Sequence, residues 1–129
     1  MMSDKAQRCF DQYTENLALA AELEEILDDD RGWACVVRFY AALHLTNAYL
    51  IGKSSVRFEP KSGDHKQRKA ALERCPELRE TPDRYRRLKD LSESVRYDAG
   101  FGYSAAKRDF SIAWLEKIVA IVEPKVKKD

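Results

Sequence analysis

Apolar residues recur every three to four positions along most of this chain, which is the spacing of one face of an α-helix. The first such stretch, which includes Phe10 and Tyr13, predicts a helix over residues 3–27. Ser3 is its predicted N-cap, because a serine hydroxyl accepts a hydrogen bond from an unpaired amide of the first turn. The aspartates at 28–30 then place like charges at the negative end of the helix dipole, which ends the helix.

The next segment, residues 31–51, is apolar on most sides and predicts a second, central helix. Asp30 is its predicted N-cap and Gly52 its predicted C-cap. The apolar run approaches the length of a membrane-spanning helix, but Arg38 and His44 interrupt it and would be costly in lipid. A helix buried at the centre of a bundle accounts for the run better, so no membrane association is expected.

Three further helices are predicted, over residues 64–74, 81–97 and 104–124. Their predicted N-caps are Asp64, Thr81 and Ser104, and Pro82 takes the first helical position of the second of them. No segment alternates between apolar and polar residues with the period of a strand. The sequence therefore predicts one all-α domain over the whole chain, an up-and-down bundle of four to five helices.

The net charge of +1 conceals an uneven distribution of charge along the chain. Residues 1–30 carry two basic and nine acidic side chains, a net of −7, and residues 65–89 carry nine basic and four acidic ones, a net of +5. One interpretation is that an acidic and a basic helix attract each other within the fold. The other is a basic surface for phosphate-bearing partners. The near-neutral total favours the first, and residues 65–89 are the expected contact for any nucleic acid.

The reactive side chains are few and scattered. Cys9, Cys35 and Cys75 are odd in number and widely spaced, which argues against a disulfide framework and favours three small hydrophobic side chains. The two histidines, His44 and His65, lack the spacing of metal ligands, so neither a metal nor another cofactor is predicted. With a polar start and no signal segment, the expected compartment is the cytoplasm.

Polar residues of the central helix are the first candidates for a binding site. Tyr40, His44 and Asn47 are spaced so that they share one stripe of the helix. A histidine and an asparagine in such an apolar helix need hydrogen-bond partners, because burying them unpaired is unfavourable. We therefore expect both to be largely buried and bonded to another helix. The stripe is either a contact that fixes helix packing or a site that opens between helices.

Two further pairs are candidates for binding. Arg96 and Tyr97 end the fourth helix just before a glycine-containing break, where a guanidinium and a phenol could both face a cleft. An arginine at a helix C-terminus also interacts favourably with the helix dipole, which is the ordinary alternative. His65 and Arg68 begin the third helix after an irregular connection, a position suited to an anion. The alternative for this pair is a solvated surface.

The sequence contains three characteristic stretches, at 33–50 (WACVVRFYAALHLTNAYL), 65–68 (HKQR) and 85–97 (YRRLKDLSESVRY). A closing helix follows, with alanines at 105–106 and LEKI at 115–118. Together they cover most of residues 33–120 and resemble the HEPN superfamily (higher eukaryotes and prokaryotes nucleotide-binding domains). The resemblance implies a bundle of four to five helices, a homodimer, and association with RNA or nucleotides. It also implies a partner protein such as an antitoxin.

Many HEPN proteins are metal-independent endoribonucleases with an Arg-x(4–6)-His motif, and the resemblance assigns that role here to Arg38 and His44. In such a site the histidine moves protons around a 2′-hydroxyl and the arginine stabilises charge on the phosphate. However, Phe39 follows the arginine where active members place a polar residue, and steps of 100° set the pair about 120° apart around the helix. The sequence therefore favours a non-catalytic or divergent binding module, with the ribonuclease as the alternative.

Overall fold

The computed structural model describes residues 2–26, 31–53, 56, 58 and 65–126. Within these ranges the secondary structure consists of helices and includes no strand, as the sequence predicts. Its helices pack as one bundle around a common hydrophobic core. In chain order they are α1 (Asp4–Ile26), α2 (Trp33–Gly52), α3 (His65–Glu73), a 3₁₀ turn (Pro76–Leu78), α4 (Thr81–Tyr97) and α5 (Ala105–Val126).

Helix α2 is the central element of the bundle, because α1, α4 and α5 all pack against it. By length and composition it is the one described helix apolar enough to cross a membrane, yet 72% of that stretch is buried inside the bundle. Phe39, Leu45 and Leu50 from α2 are inaccessible to solvent. The predicted central helix is thus confirmed.

The start of α2 differs from the prediction, which placed it at residue 31 with Asp30 as its cap. Asp30 lies outside the described residues, and the helix begins at Trp33 after Gly32. Gly32 has a φ of 88°, in the left-handed region, and a Cβ there would stand 2.7 Å from a ring carbon of Tyr103. Glycine is therefore required at this position both for its backbone angle and for the close approach of the ring.

Two of the predicted caps are confirmed. The hydroxyl of Ser3 accepts the backbone N–H of Ala6 at 3.2 Å, and that of Ser104 accepts the backbone N–H of Lys107 at 3.3 Å. Each serine thus satisfies an amide that the first turn of a helix leaves unpaired. The predicted cap Asp64 lies outside the described residues.

Other predicted helix ends are wrong by a few residues. Thr81 is the first residue of α4 and Glu80 is its N-cap. The hydroxyl of Thr81 is buried and has no hydrogen-bond partner among the described residues. Gly52 is the last residue of α2 rather than its cap, and α5 continues past Pro124. A proline that close to a helix end disrupts few backbone hydrogen bonds, so it does not stop the helix.

Candidate functional site

A buried polar group, which we call the Arg68 cluster, joins α2, α3 and α4. Its members are Asn47, His65, Arg68 and Tyr85. Arg68 is only 1% exposed, and its Nε donates to Oδ1 of Asn47 at 2.7 Å while its Nη1 donates to the hydroxyl of Tyr85 at 3.2 Å. The prediction that Asn47 is buried and bonded to another helix is therefore confirmed.

His65 completes this cluster from the first turn of α3. Its Nδ1 lies 2.9 Å from the hydroxyl of Tyr85. Because that hydroxyl already accepts from Arg68, its own proton is available to Nδ1, which requires a neutral imidazole that carries hydrogen on Nε2. Burial, together with the positive charge of Arg68, lowers the pKa of His65, in keeping with this neutral form.

The ring of Phe39 lies close both to the Arg68 cluster and to a second group of side chains. Its centroid lies 5.5 Å from those of His65 and Tyr85. It lies 5.2 Å from the centroid of the Tyr40 ring. Aromatic contacts therefore connect side chains of α2, α3 and α4.

The second site is centred on Arg96 near the end of α4. Its Nη1 donates to the hydroxyl of Tyr40 at 2.9 Å, and its Nε donates to the carbonyl oxygen of Ser92 at 3.3 Å. Its guanidinium carbon lies 4.9 Å from the ring centroid of Tyr97 and 5.6 Å from that of Tyr40. Nη1 also donates to the hydroxyl of Tyr97 at 3.4 Å, so two cation–π contacts and three hydrogen bonds fix the orientation of the guanidinium.

A cleft of about 530 Å³, the Arg96 groove, opens between the start of α2, the end of α4 and the connection to α5. Tyr97 is 76% exposed on its rim and Trp33 is 49% exposed. Arg96 and Tyr97 both line this cleft, and the bond of Arg96 to a carbonyl oxygen near the end of α4 agrees with the ordinary helix-end role as well. The aromatic and charged side chains of its lining are Arg31, Trp33, Arg96, Tyr97, Asp98, Phe101 and Tyr103.

Arg38, the predicted catalytic arginine, lies in a different environment. It is 5% exposed, and its Nη2 is 2.7 Å from a carboxylate oxygen of Glu24 in α1. Its Nη1 donates to the hydroxyl of Ser111 in α5 at 3.1 Å. The sulfur of Cys35 lies 3.2 Å from the same hydroxyl. Arg38 therefore ties three helices together from inside the bundle.

His44, the predicted catalytic histidine, is half-buried and makes no side-chain hydrogen bond to a described residue. The prediction that it is largely buried and bonded to another helix is therefore wrong. Burial and the charge of Arg68 lower its pKa. The described structure thus engages Arg38 inside the bundle and shows no hydrogen bond between Arg38 and His44.

The basic segment at 65–89 satisfies much of its charge internally. The carboxylate of Asp83 receives Arg84 at 2.8 Å, Arg86 at 3.1 Å and Arg87 at 2.8 Å. Arg86 also lies 3.2 Å from Asp90. These described ion pairs join neighbouring turns of α4 rather than α4 and the acidic α1, so local spacing explains the arginines better than attraction between the two helices.

Sequence reasoning missed several residues of these sites. Tyr85 is not among the predicted site residues, although a tyrosine among leucines signals a hydroxyl that needs a buried partner. Trp33 is not among them either, because it begins the apolar run that predicts the central helix. Asp98 and Tyr103 lie in the connection after α4, where no periodicity exists to indicate which side chains converge.

All three cysteines are free thiols; Cys35 and Cys75 are buried as predicted, whereas Cys9 is half-buried. The described residues contain no group of three or more histidine, cysteine or carboxylate side chains that could hold a metal ion. The sequence matches no protein-family model, and no curated protein shows significant similarity to it. The class of molecule is thus given by the fold and its sites alone: an all-α bundle with an aromatic, arginine-containing groove.

Proposed function

We propose that this protein is a non-catalytic, HEPN-like binding module that binds RNA or a nucleotide through the Arg96 groove. One observation carries the proposal: a guanidinium fixed between two tyrosines, beside a half-exposed tryptophan. Exposed aromatic faces stack on nucleobases, and an arginine fork donates paired hydrogen bonds to phosphate or to base edges. The fixed guanidinium loses little side-chain entropy when a ligand binds.

The position of Arg38 supports a binding rather than a catalytic role. Its guanidinium is buried and already paired with Glu24, so charge on a phosphate would have to displace a carboxylate at 2.7 Å. A general base and an electrostatic stabiliser must both reach one reacting group. Arg38 is already paired with Glu24 and Ser111 inside the bundle, and no described hydrogen bond joins it to His44, which disfavours the ribonuclease alternative.

The groove is tested by fluorescence anisotropy with labelled single-stranded RNA. Trp33→Ala and Tyr97→Ala should each weaken binding by roughly five- to a hundredfold, because a stacked base contributes about 1–3 kcal/mol. Phe110→Ala is the matched control, since Phe110 is 56% exposed on α5 and lies outside the groove. Equal affinity of the two groove variants and the wild type would contradict the proposal.

Catalysis is tested separately, with structured and single-stranded RNA incubated with the protein in chelator. We expect the RNA to stay intact. Cleavage that both Arg38→Ala and His44→Ala abolish, with circular dichroism unchanged, would establish the ribonuclease instead. The homodimer, the antitoxin-like partner and the cytoplasmic location that the sequence suggests stay predictions, and sedimentation of the purified chain checks the first of them.

A further inference from the structure

We infer that the Arg96 groove is selective for guanine over the other bases. The inference rests on the proposed function, since it names the chemistry that the same groove recognises. It comes from three groups that share the lining: the carboxylate of Asp98, the guanidinium of Arg96 and the exposed ring of Tyr97.

Asp98 supplies a fixed hydrogen-bond acceptor at the end of α4. Its Oδ1 accepts the backbone N–H of Gly100 at 3.0 Å, which holds the carboxylate in place. Among the described residues no other side chain or amide donates to this carboxylate. Its Oδ2 and one further lone-pair position of Oδ1 are therefore available to a ligand.

Only guanine among the four RNA bases matches such a carboxylate with two neighbouring donors. Its N1–H and its exocyclic amine point the same way and can meet both oxygens at once. Adenine and cytosine place an acceptor nitrogen beside their amine, and uracil places carbonyl oxygens on both sides of N3–H. Each of those edges would bring an oxygen or nitrogen lone pair against the carboxylate, which is unfavourable.

Arg96 adds the complementary donor two residues away. Its Nη1 donates to the hydroxyls of Tyr40 and Tyr97 and its Nε to the carbonyl oxygen of Ser92, whereas the described residues offer no acceptor to its Nη2. The O6 of guanine lies next to N1–H on the same edge, and arginine is the usual partner of this oxygen and of N7. A donor and an acceptor therefore line the same groove, and we infer that they meet adjacent atoms of one base.

The location of the groove also favours a base edge over a phosphate at Asp98. The C-terminus of a helix carries a negative partial charge, which attracts N–H donors and repels anions. The ring of Tyr97, 76% exposed, provides a stacking face beside this position. A volume of about 530 Å³ exceeds that of a single base, so the ribose and phosphate can extend toward Arg31.

The test uses the fluorescence of Trp33 in a Trp114→Phe background, so that the only tryptophan lines the groove. GMP, AMP, CMP and UMP are titrated separately, together with inosine monophosphate, which lacks the exocyclic amine. We expect GMP to bind about tenfold more tightly than the other four, because a good bidentate pair gives discrimination of this order. The affinity of a short uridine strand that contains one guanosine is compared with that of the same strand without it. This comparison shows whether the groove takes its base from RNA or from a free nucleotide.

Asp98→Asn is the decisive variant, because its side-chain oxygen can still accept the N–H of Gly100 while the second acceptor becomes a donor. The guanine preference should fall about tenfold, with weaker, unselective binding retained. Asp109→Asn on α5 is the control and should leave the preference unchanged.

Two outcomes would overturn the inference. Equal binding of all nucleotides would overturn it and leave the proposed function standing. Absence of binding by every nucleotide and both strands would overturn both. A guanine preference seen only with the strand would support it and identify RNA as the ligand.

Discussion

Arg68 of α3 and Arg96 of α4 each donate a hydrogen bond to the hydroxyl of a tyrosine, but they differ in how far they are exposed to solvent. Arg68 is 1% exposed and directs its described bonds to protein groups, namely Asn47 in α2, Tyr85 in α4 and His65 in its own helix. Arg96 is partly exposed. Its guanidinium donates a hydrogen bond to Tyr40, and the residue lines the Arg96 groove. An arginine whose donors are all bonded to protein groups thus stabilises the packing of the helices. An arginine with one side of its guanidinium facing solvent can instead bind a ligand.

The largest expected effect is a difference in stability between variants of these two arginines. Arg68→Met should lower the free energy of unfolding by about 2–4 kcal/mol, because it leaves Asn47 and Tyr85 buried without their donor. Arg96→Met should change it by less than about 1 kcal/mol and instead weaken RNA binding. Urea denaturation followed by circular dichroism measures both variants. Comparable losses of stability would remove the distinction between the two sites.

A substitution at Gly32 tests how closely the backbone of this residue packs against the ring of Tyr103 in the Arg96 groove. Gly32→Ala should destabilise the protein by about 2 kcal/mol, from the left-handed backbone and the contact of its Cβ with the Tyr103 ring. RNA affinity should fall too, since Tyr103 lines the groove. Gly102→Ala is the matched control, because nothing described lies within 4 Å of a Cβ there. A thermal midpoint for Gly32→Ala equal to that of the control would contradict this packing.

The Arg68 cluster should also make stability depend on pH. The pKa of His65 is lowered in the folded protein, so the native state favours the neutral ring. The stability this contributes is complete above the unfolded pKa of about 6.5 and is lost as pH falls through the lower folded value. Chemical denaturation between about pH 7.5 and pH 5 should show the decline. His65→Gln should reduce this decline in the free energy of unfolding. The decline that remains should come from His44, whose pKa is lowered as well. If the free energy of unfolding falls with pH equally steeply in His65→Gln and in the wild type, the imidazole is not held by Tyr85.

The smallest effect is expected on the surface of α4. Arg87→Ala should change stability by less than about 0.5 kcal/mol, because its pair with Asp83 is solvent-exposed. RNA affinity should stay within about twofold of the wild type, since Arg87 lies outside the groove. Loss of most of the affinity in this variant would instead place RNA on the basic segment at 65–89.

The sequence determined the helices and, at Asn47, one of the buried polar groups that need a partner. Apolar periodicity predicted the five helices and the central place of α2, since each helix must bury one face whatever its neighbours are. A lone asparagine in that helix signalled a buried partner, and Asn47 has one in Arg68. The few errors at helix ends arose where a cap depends on the neighbouring chain, as at Gly32 beside Tyr103.

Only the tertiary structure decided which side chains share a site. Arg38 and Arg96 are both helical arginines near aromatic residues in the sequence, yet one meets Glu24 and Ser111 inside the bundle and the other meets Tyr40 at a groove. Periodicity gives the face of a helix on which a residue lies, whereas its partners depend on how helices cross and where irregular connections run. The role of Asp98 could not be predicted from periodicity either. The groove that it lines is formed by segments more than sixty positions apart along the chain.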